Sequence, residues 1–188
     1  AQYEANYGLN PAPRWKALLD SLEGRKGGST TLKFCGLAAL SLGNLEEEQG
    51  RDPIPYFEKA ERYLGEALER DGEKDDAHLN LGLLYNARAK YLQRKGASGR
   101  IYFEKAEAEL SRAISINPAR AAHWSSRGSS RNERIALGDA PYQFGDVITD
   151  YGVALLREPS NLSARLGLGL AYMNEGCARR ARNLDALD

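Results

Sequence analysis

The residues best able to perform acid–base, nucleophilic or metal chemistry are few and scattered in this sequence. Its only histidines are His78 and His123, and its only cysteines are Cys35 and Cys177. Metal and nucleophilic sites need such residues at short, regular spacings or beside an acidic partner, and none of the four has that setting. We therefore predict no enzyme activity, no metal and no cofactor. His123, next to Trp124, is interpreted as a helix-surface residue.

One polar cluster is less ordinary than the rest of the chain. Four serines fall within six residues, with three arginines beside them: Ser125, Ser126, Ser129 and Ser130, with Arg127, Arg131 and Arg134. Two interpretations stay open. The serines are either small residues that permit tight helix packing, or part of a surface for partner contact or modification.

Length and composition limit the classes of function. The chain has 188 residues, of which 42% are hydrophobic and 28% charged, as in folded soluble domains. The 26 basic residues are balanced by 26 acidic ones, so there is no basic field of the kind that nucleic acid requires. No apolar run approaches the roughly 18 residues that cross a bilayer, so membrane insertion is not expected.

An internal repeat organises the sequence. The segment Tyr56–Glu61 (YFEKAE) recurs as Tyr102–Glu107, at an offset of 46 residues. Four further pairs share this offset: Gly36 and Gly82, Gly50 and Gly96, Leu64 and Leu110, Ala67 and Ala113. A fixed period of this length is the signature of a stacked repeat architecture.

The repeat resembles the tetratricopeptide repeat, a helix–turn–helix unit. Leu81–Tyr85 and Leu168–Tyr172 fit its first-helix pattern Leu-Gly-x-x-Tyr, while Ala106, Leu110 and Ala113 fit its second helix. The last small residue of each second helix also precedes the next first-helix glycine by 15 residues: Ala67 and Gly82, Ala113 and Gly128, Ala154 and Gly169. The family unit has about 34 residues, so we interpret the longer units here as lengthened helices with altered turns.

The resemblance implies an all-α, right-handed α-solenoid. We predict an N-terminal segment 1–28 with one helix at 13–24, then repeats at about 29–74, 75–119, 120–160 and 161–181, and a C-terminal end at 182–188. The turns are expected at Asp52–Pro55, Lys95–Gly99 and Leu137–Pro141, where proline or glycine interrupts the helical pattern.

In this family the first helices line the concave surface that binds partners. Carrying those positions over predicts contacts from Lys33, Leu37, Leu40, Leu79, Asn80, Leu83, Asn86, Ser125, Ser129, Asn132, Leu166, Leu170 and Met173. Packing between neighbouring repeats is the alternative role for about half of them. Chaperone-binding members hold a C-terminal carboxylate at five positions; Lys33 and Asn80 match, whereas Leu37, Ala122 and Ser126 do not. We therefore reject a chaperone adaptor of that kind.

Both ends of the array look incomplete. The helix at 13–24 resembles a second helix without its first, and Cys177–Asp188 would form only a weak final helix after Tyr172. We therefore predict a protein-binding scaffold that associates with itself head to tail, as a ring or a filament. The contact would use Trp15, Leu18, Leu19, Leu22, Tyr172, Arg179 and Arg180, with the arginines near Glu46–Glu48 of the next copy. The alternative is an adaptor that binds a peptide or helix in the groove; an enzyme regulator is a remote third.

The remaining expectations concern location and modification. The sequence begins with Ala1 and Gln2, which suggests a processed protein located outside the cell or in the periplasm; a cytoplasmic location is the alternative. Cys35 and Cys177 are not expected to pair within one chain, although a bond between chains stays open. Asn161 begins an N-glycosylation acceptor sequence, but we favour a helix-capping role for it.

Overall fold

The protein is a stack of α-helices. The computed structural model describes residues 12–22, 28–71, 74–138 and 143–185. Every regular element in these ranges is an α-helix, as the sequence predicted. The helices are α1 (Ala12–Leu22), α2 (Ser29–Glu48), α3 (Ile54–Asp71), α4 (Asp75–Arg94), α5 (Arg100–Ile116), α6 (Ala121–Ala136), α7 (Phe144–Arg157) and α8 (Leu162–Asp185).

The helices form an α-solenoid of tetratricopeptide type. Pairs α2/α3, α4/α5 and α6/α7 are the three repeats, and each second helix also packs against the first helix that follows it. The first helices stack along one layer, α2 on α4, α4 on α6 and α6 on α8. This confirms the predicted fold class, because each repeat buries its apolar face only against its neighbours.

Glycines in the left-handed conformation end the long first helices. Gly50 and Gly96, related by the repeat offset, both have φ of +75°. The N–H of Arg51 bonds to the carbonyl of Glu46 at 2.8 Å, and that of Gly50 to Glu47 at 2.9 Å. This double closure satisfies carbonyls at the helix end and requires a residue that tolerates positive φ, hence glycine. The second and third turns begin where the sequence placed them, at Lys95 and Leu137, although residues 139–142 lie outside the described ranges. The first turn was placed too late, because α2 already ends at Glu48 and Pro55 lies inside α3.

The two helices of a repeat cross closely at a first-helix glycine. A Cβ atom added to Gly36 would lie 2.6 Å from Cγ of Leu64, and one added to Gly82 would lie 2.6 Å from Cγ of Leu110. Both leucines are fully buried. The glycine therefore leaves the space that the leucine fills, and the two helices of these two repeats cross closely there.

The third repeat solves the same packing problem with a larger side chain. Tyr151 stands where Leu64 and Leu110 stand in the earlier repeats, and it lies against Gly128 of its own first helix. The tyrosine also reaches α8, where a Cβ added to Gly167 would meet its ring at 2.3 Å. A second glycine in the next helix thus accommodates the extra volume, a compensation that the sequence analysis did not anticipate.

The terminal helices differ from the predicted bounds. The final helix was expected to be short and separate from the one carrying Tyr172, but α8 is one helix from Leu162 to Asp185 that passes through Gly176 without a turn. The predicted boundary after residue 181 was therefore wrong, since an α-helix tolerates one glycine at a cost of about 1 kcal/mol. The first helix spans Ala12–Leu22 rather than 13–24, and residues 23–27 lie outside the described ranges.

A pair of alanine substitutions tests the helix crossing. Gly82→Ala should lower the free energy of unfolding by about 1–3 kcal/mol, because the added methyl overlaps the buried Leu110. Gly65→Ala, in α3, adds the same methyl where no atom of the described structure lies within 4 Å, and should raise it by about 0.5–1 kcal/mol. Urea denaturation of both variants measures the difference. An equal increase in the free energy of unfolding for both variants would show that the crossing at Gly82 is not close.

Candidate functional site

The last helix exposes an apolar stripe. Leu166, Leu170 and Met173 are 66%, 45% and 58% exposed, and Leu162 continues the stripe towards the start of α8. The opposite side of the helix, with Ala164 and Ala171 fully buried, packs against α6 and α7. One side of α8 therefore closes the solenoid core, and the other presents large apolar side chains to solvent.

The second repeat buries part of the corresponding surface. Leu79 of α4 occupies the position of Leu166 in its repeat and is only 7% exposed, whereas Leu83, which occupies the position of Leu170, is 38% exposed. Gly169 occupies the crossing position of Gly36 and Gly82, but a Cβ added there would meet nothing within 4 Å in the described structure. In the described part of the chain, no second helix therefore packs against α8 at Gly169.

A groove runs along the first-helix layer between α4, α6 and the start of α8. Its volume is about 460 Å³. The lining consists of small and neutral polar side chains with one leucine and one lysine: Leu83, Asn86, Ala87, Lys90, Ala122, Ser125, Ser126, Ser129, Asn161 and Ser163. A lining of this kind suits an extended peptide without bulky side chains.

One buried amide in the groove has an unused hydrogen-bonding atom. Asn86 is 8% exposed, and its Oδ1 has no hydrogen-bond partner among the described residues. Its counterpart in the next repeat, Asn132, accepts a bond from Nδ2 of Asn174 at 3.5 Å. A buried amide atom without a partner is costly. Asn86 is therefore the groove residue best placed to bond to the backbone of a bound chain.

The groove carries little net charge. The ammonium of Lys90 lies 2.9 Å from a carboxylate oxygen of Glu133, so its charge is partly compensated. Lys33, one of the two matches to the carboxylate-binding pattern, is similarly held by Asp76 at 2.5 Å. A bound carboxylate would have to compete with these acidic partners, in line with the rejection made from the sequence.

The three arginines of the polar cluster face away from the groove. Asp150 of α7, almost fully buried, accepts bonds from Arg127 at 2.7 Å and 3.0 Å and from Arg131 at 3.0 Å. Arg131 and Arg134 also reach Glu107 of α5. These bonds tie α6 to both neighbouring second helices, so the arginines hold the groove wall in place instead of lining it.

The predicted concave contacts divide into two groups. Four lie in the groove: Leu83, Asn86, Ser125 and Ser129. The others pack between helices, as Leu40 and Leu79 do, or lie outside the groove: Lys33, Leu37, Leu40, Leu79, Asn80, Asn132, Leu166, Leu170 and Met173. The sequence reasoning missed Ala87 and Lys90, which lie one helical turn or less beyond Asn86, and the contribution of Asn161 and Ser163 from the start of α8.

The predicted self-assembly residues are open at only one end. On α8, Tyr172 is 55% exposed, Arg179 is paired with Glu175, and Arg180 is exposed. On α1, Leu19 is buried and Trp15, Leu18 and Leu22 are partly buried against the core that includes α2. The acidic group expected to receive the arginines is also occupied, since Glu46 pairs with Arg51 and Glu47 with Arg94.

The modification candidates are resolved in part. Oδ1 of Asn161 accepts a bond from the backbone N–H of Ala164 at 2.9 Å, which is a helix cap and confirms that interpretation. Neither cysteine forms a disulfide bond in the described structure. Cys35 is buried, so only the exposed Cys177 is accessible to another molecule.

The interpretation of His123 as a surface residue was wrong. Its side chain is fully buried, with Nδ1 3.0 Å from the carbonyl of Asn117 and Nε2 3.4 Å from Asp75. Burial lowers the pKa of His123 below its ordinary value, despite the neighbouring Asp75.

In the described part of the chain, no group of His, Cys, Asp or Glu side chains could hold a metal ion, and no helix is long and apolar enough to cross a membrane.

Comparison with known proteins supports the fold. No family model matches the chain, and no curated protein matches it. Among solved structures, the first TPR domain of human RPAP3 is similar over 77% of this chain and 95% of its own, with 19% identity and a TM-score of 0.54. The Arabidopsis OM64 TPR domain covers 74% of this chain and 95% of its own, with 16% identity and a TM-score of 0.51. At such identities these likenesses define the fold: an α-solenoid of tetratricopeptide repeats.

The buried histidine predicts a pH dependence of stability. As pH falls below about 6.5, the unfolded chain binds a proton at His123 before the folded chain does, so stability present at neutral pH is lost on acidification. The charged groups facing this ring are Asp75, Asp76 and Arg120. We expect the melting temperature to fall more steeply between pH 7.5 and pH 5 for the natural chain than for His123→Asn. The amide of that variant can still donate a hydrogen bond to the backbone carbonyl of Asn117. Parallel pH profiles would contradict this assignment.

Proposed function

We propose that the protein is a protein-binding scaffold whose copies associate through the open face of α8. The observation that carries this proposal is the contrast at the crossing glycines. Gly36, Gly82 and Gly128 each face a second-helix side chain, whereas Gly169 faces open space within the described structure. We therefore expect the surface around Gly169 to bind a helix of another chain.

The chemistry of the face supports association. Burying apolar surface stabilises a contact by roughly 25 cal/mol per Å². Leu166, Leu170 and Met173 are all close to half exposed or more, so a helix laid over them would remove substantial apolar area from water. The chain also has a formal net charge of zero, which leaves little overall repulsion between copies.

The arrangement predicted from the sequence is head to tail, with α1 of one copy covering α8 of the next. A contact of that type would continue the solenoid as a ring or filament. The apolar side chains of α1, among them Trp15 and Leu19, already pack against α2. Head-to-tail assembly through these residues therefore requires α1 to leave its own chain.

Sedimentation velocity tests the association. The sedimentation coefficient of the natural chain should rise with its concentration. Leu170→Glu should remain monomeric, because the substitution places a carboxylate in the apolar contact. Leu156→Glu is the matched control: Leu156 is 83% exposed and belongs to α7 rather than to the stripe on α8, so its replacement should leave association intact. A natural chain that stays monomeric at the highest attainable concentration would contradict the proposal.

The groove supports a second candidate, an adaptor that binds an extended segment of another protein. Its supporting observation is the buried Oδ1 of Asn86, which has no partner among the described residues in a groove of about 460 Å³. A peptide backbone carries both donors and acceptors and would satisfy this amide. The low net charge of the lining favours a neutral segment.

Binding to an array of random peptides tests the adaptor candidate. Neutral peptides of small residues should bind the natural chain, and the substitutions Asn86→Leu and Ser129→Arg should each abolish binding, the first by removing the amide and the second by filling the groove. Leu170→Glu should bind normally, since Leu170 lies outside the groove lining. Selection of acidic peptides, or equal binding by all variants, would contradict it.

A further inference from the structure

We propose that α8 pairs in an antiparallel manner with α8 of a second copy of this chain, around a two-fold axis near Gly169 and Leu170. This inference rests on the proposed association and names the surface that covers the stripe. The contact would yield a closed dimer, in place of the open-ended assembly that a head-to-tail contact gives.

The spacing of the stripe fits a helix partner. Its members are Leu162, Leu166, Gly169, Leu170, Met173 and Cys177. Steps of three and four residues keep these positions on one side of a helix, and fifteen residues of rise extend the stripe over about 22 Å. A stripe this long and narrow is suited to a second helix lying along it.

The stripe is self-complementary when one copy is reversed. Its midpoint falls between Gly169 and Leu170, so an antiparallel partner places Leu166 opposite Met173 and Leu162 opposite Cys177, twice over. Gly169 lies at the crossing, where the absence of a side chain lets the two backbones approach. This is the role that glycine already has where α2 crosses α3 and where α4 crosses α5.

The N-terminal helix is a poorer partner for the stripe. Its large apolar residues face its own chain, and the side that it leaves exposed carries Lys16 and Asp20. Covering Leu166 and Met173 with these charged groups would bury polar atoms without obvious partners, which is costly. A second α8 offers an apolar match without displacing any helix.

A cysteine placed at the axis tests the pairing. In an isologous dimer a residue near the two-fold axis meets its own counterpart, whereas in a head-to-tail contact it does not. Gly169→Cys combined with Cys177→Ser should therefore form a disulfide-linked dimer under mild oxidation. The natural chain is the matched control: its Cys177 would lie about 22 Å from the second Cys177 across the axis, beyond the roughly 7 Å between Cα atoms that a disulfide allows.

A second variant keeps the test valid if a side chain at Gly169 weakens the contact. Leu166→Cys with Met173→Cys and Cys177→Ser should link twice across the dimer, while the two positions in one helix are too far apart to bond. Links in either variant, with sedimentation that saturates at two copies, support the pairing. Association that continues beyond two copies, or that saturates at two copies without disulfide links in either variant, would overturn the α8 pairing but not the proposed association. A natural chain that stays monomeric would overturn both proposals.

Discussion

The close crossing of two helices at a first-helix glycine is the contact on which this structure depends. Leu64 and Leu110 occupy the space left by Gly36 and Gly82, and both leucines are fully buried. The crossing brings the helices of a repeat close together, and the outer faces of that pair are then covered by the neighbouring repeats. The third repeat keeps this geometry with Tyr151 in place of leucine, which explains why α8 carries Gly167 beside the tyrosine ring.

The same constraint defines the candidate site. A close helix crossing needs a glycine with apolar side chains on both sides of it. In α8, Gly169 is such a glycine, and Leu166, Leu170 and Met173 are the apolar side chains. No atom of the described structure lies within 4 Å of a Cβ added at Gly169, so the features that stabilise the crossings of α2 and α4 stay exposed in α8, where we propose that they bind another helix. The function that we propose thus depends on a repeat position without its partner helix.

The sequence predicted the repeat and the helix pairs, because both depend on residues that recur at a fixed spacing. It did not predict that α8 runs unbroken past Gly176, since a glycine that ends one helix is tolerated inside another. It also misjudged His123, which is buried beside Asp75 through contacts between distant turns that no local pattern encodes. Groove residues such as Asn161 and Ser163 come from a different helix than Ser129, so only the stacking of repeats brings them together.

Amide hydrogen exchange at low and high protein concentration tests most directly whether the open face of α8 is the binding surface. Exchange in residues 162–180 should slow markedly as concentration rises, because a helix laid over Leu166, Leu170 and Met173 suppresses local opening of α8. Exchange in α3 and α5 should stay unchanged, since their crossing positions are already filled within the chain. Exchange of α8 that does not depend on concentration, or slowing confined to α1, would contradict this account.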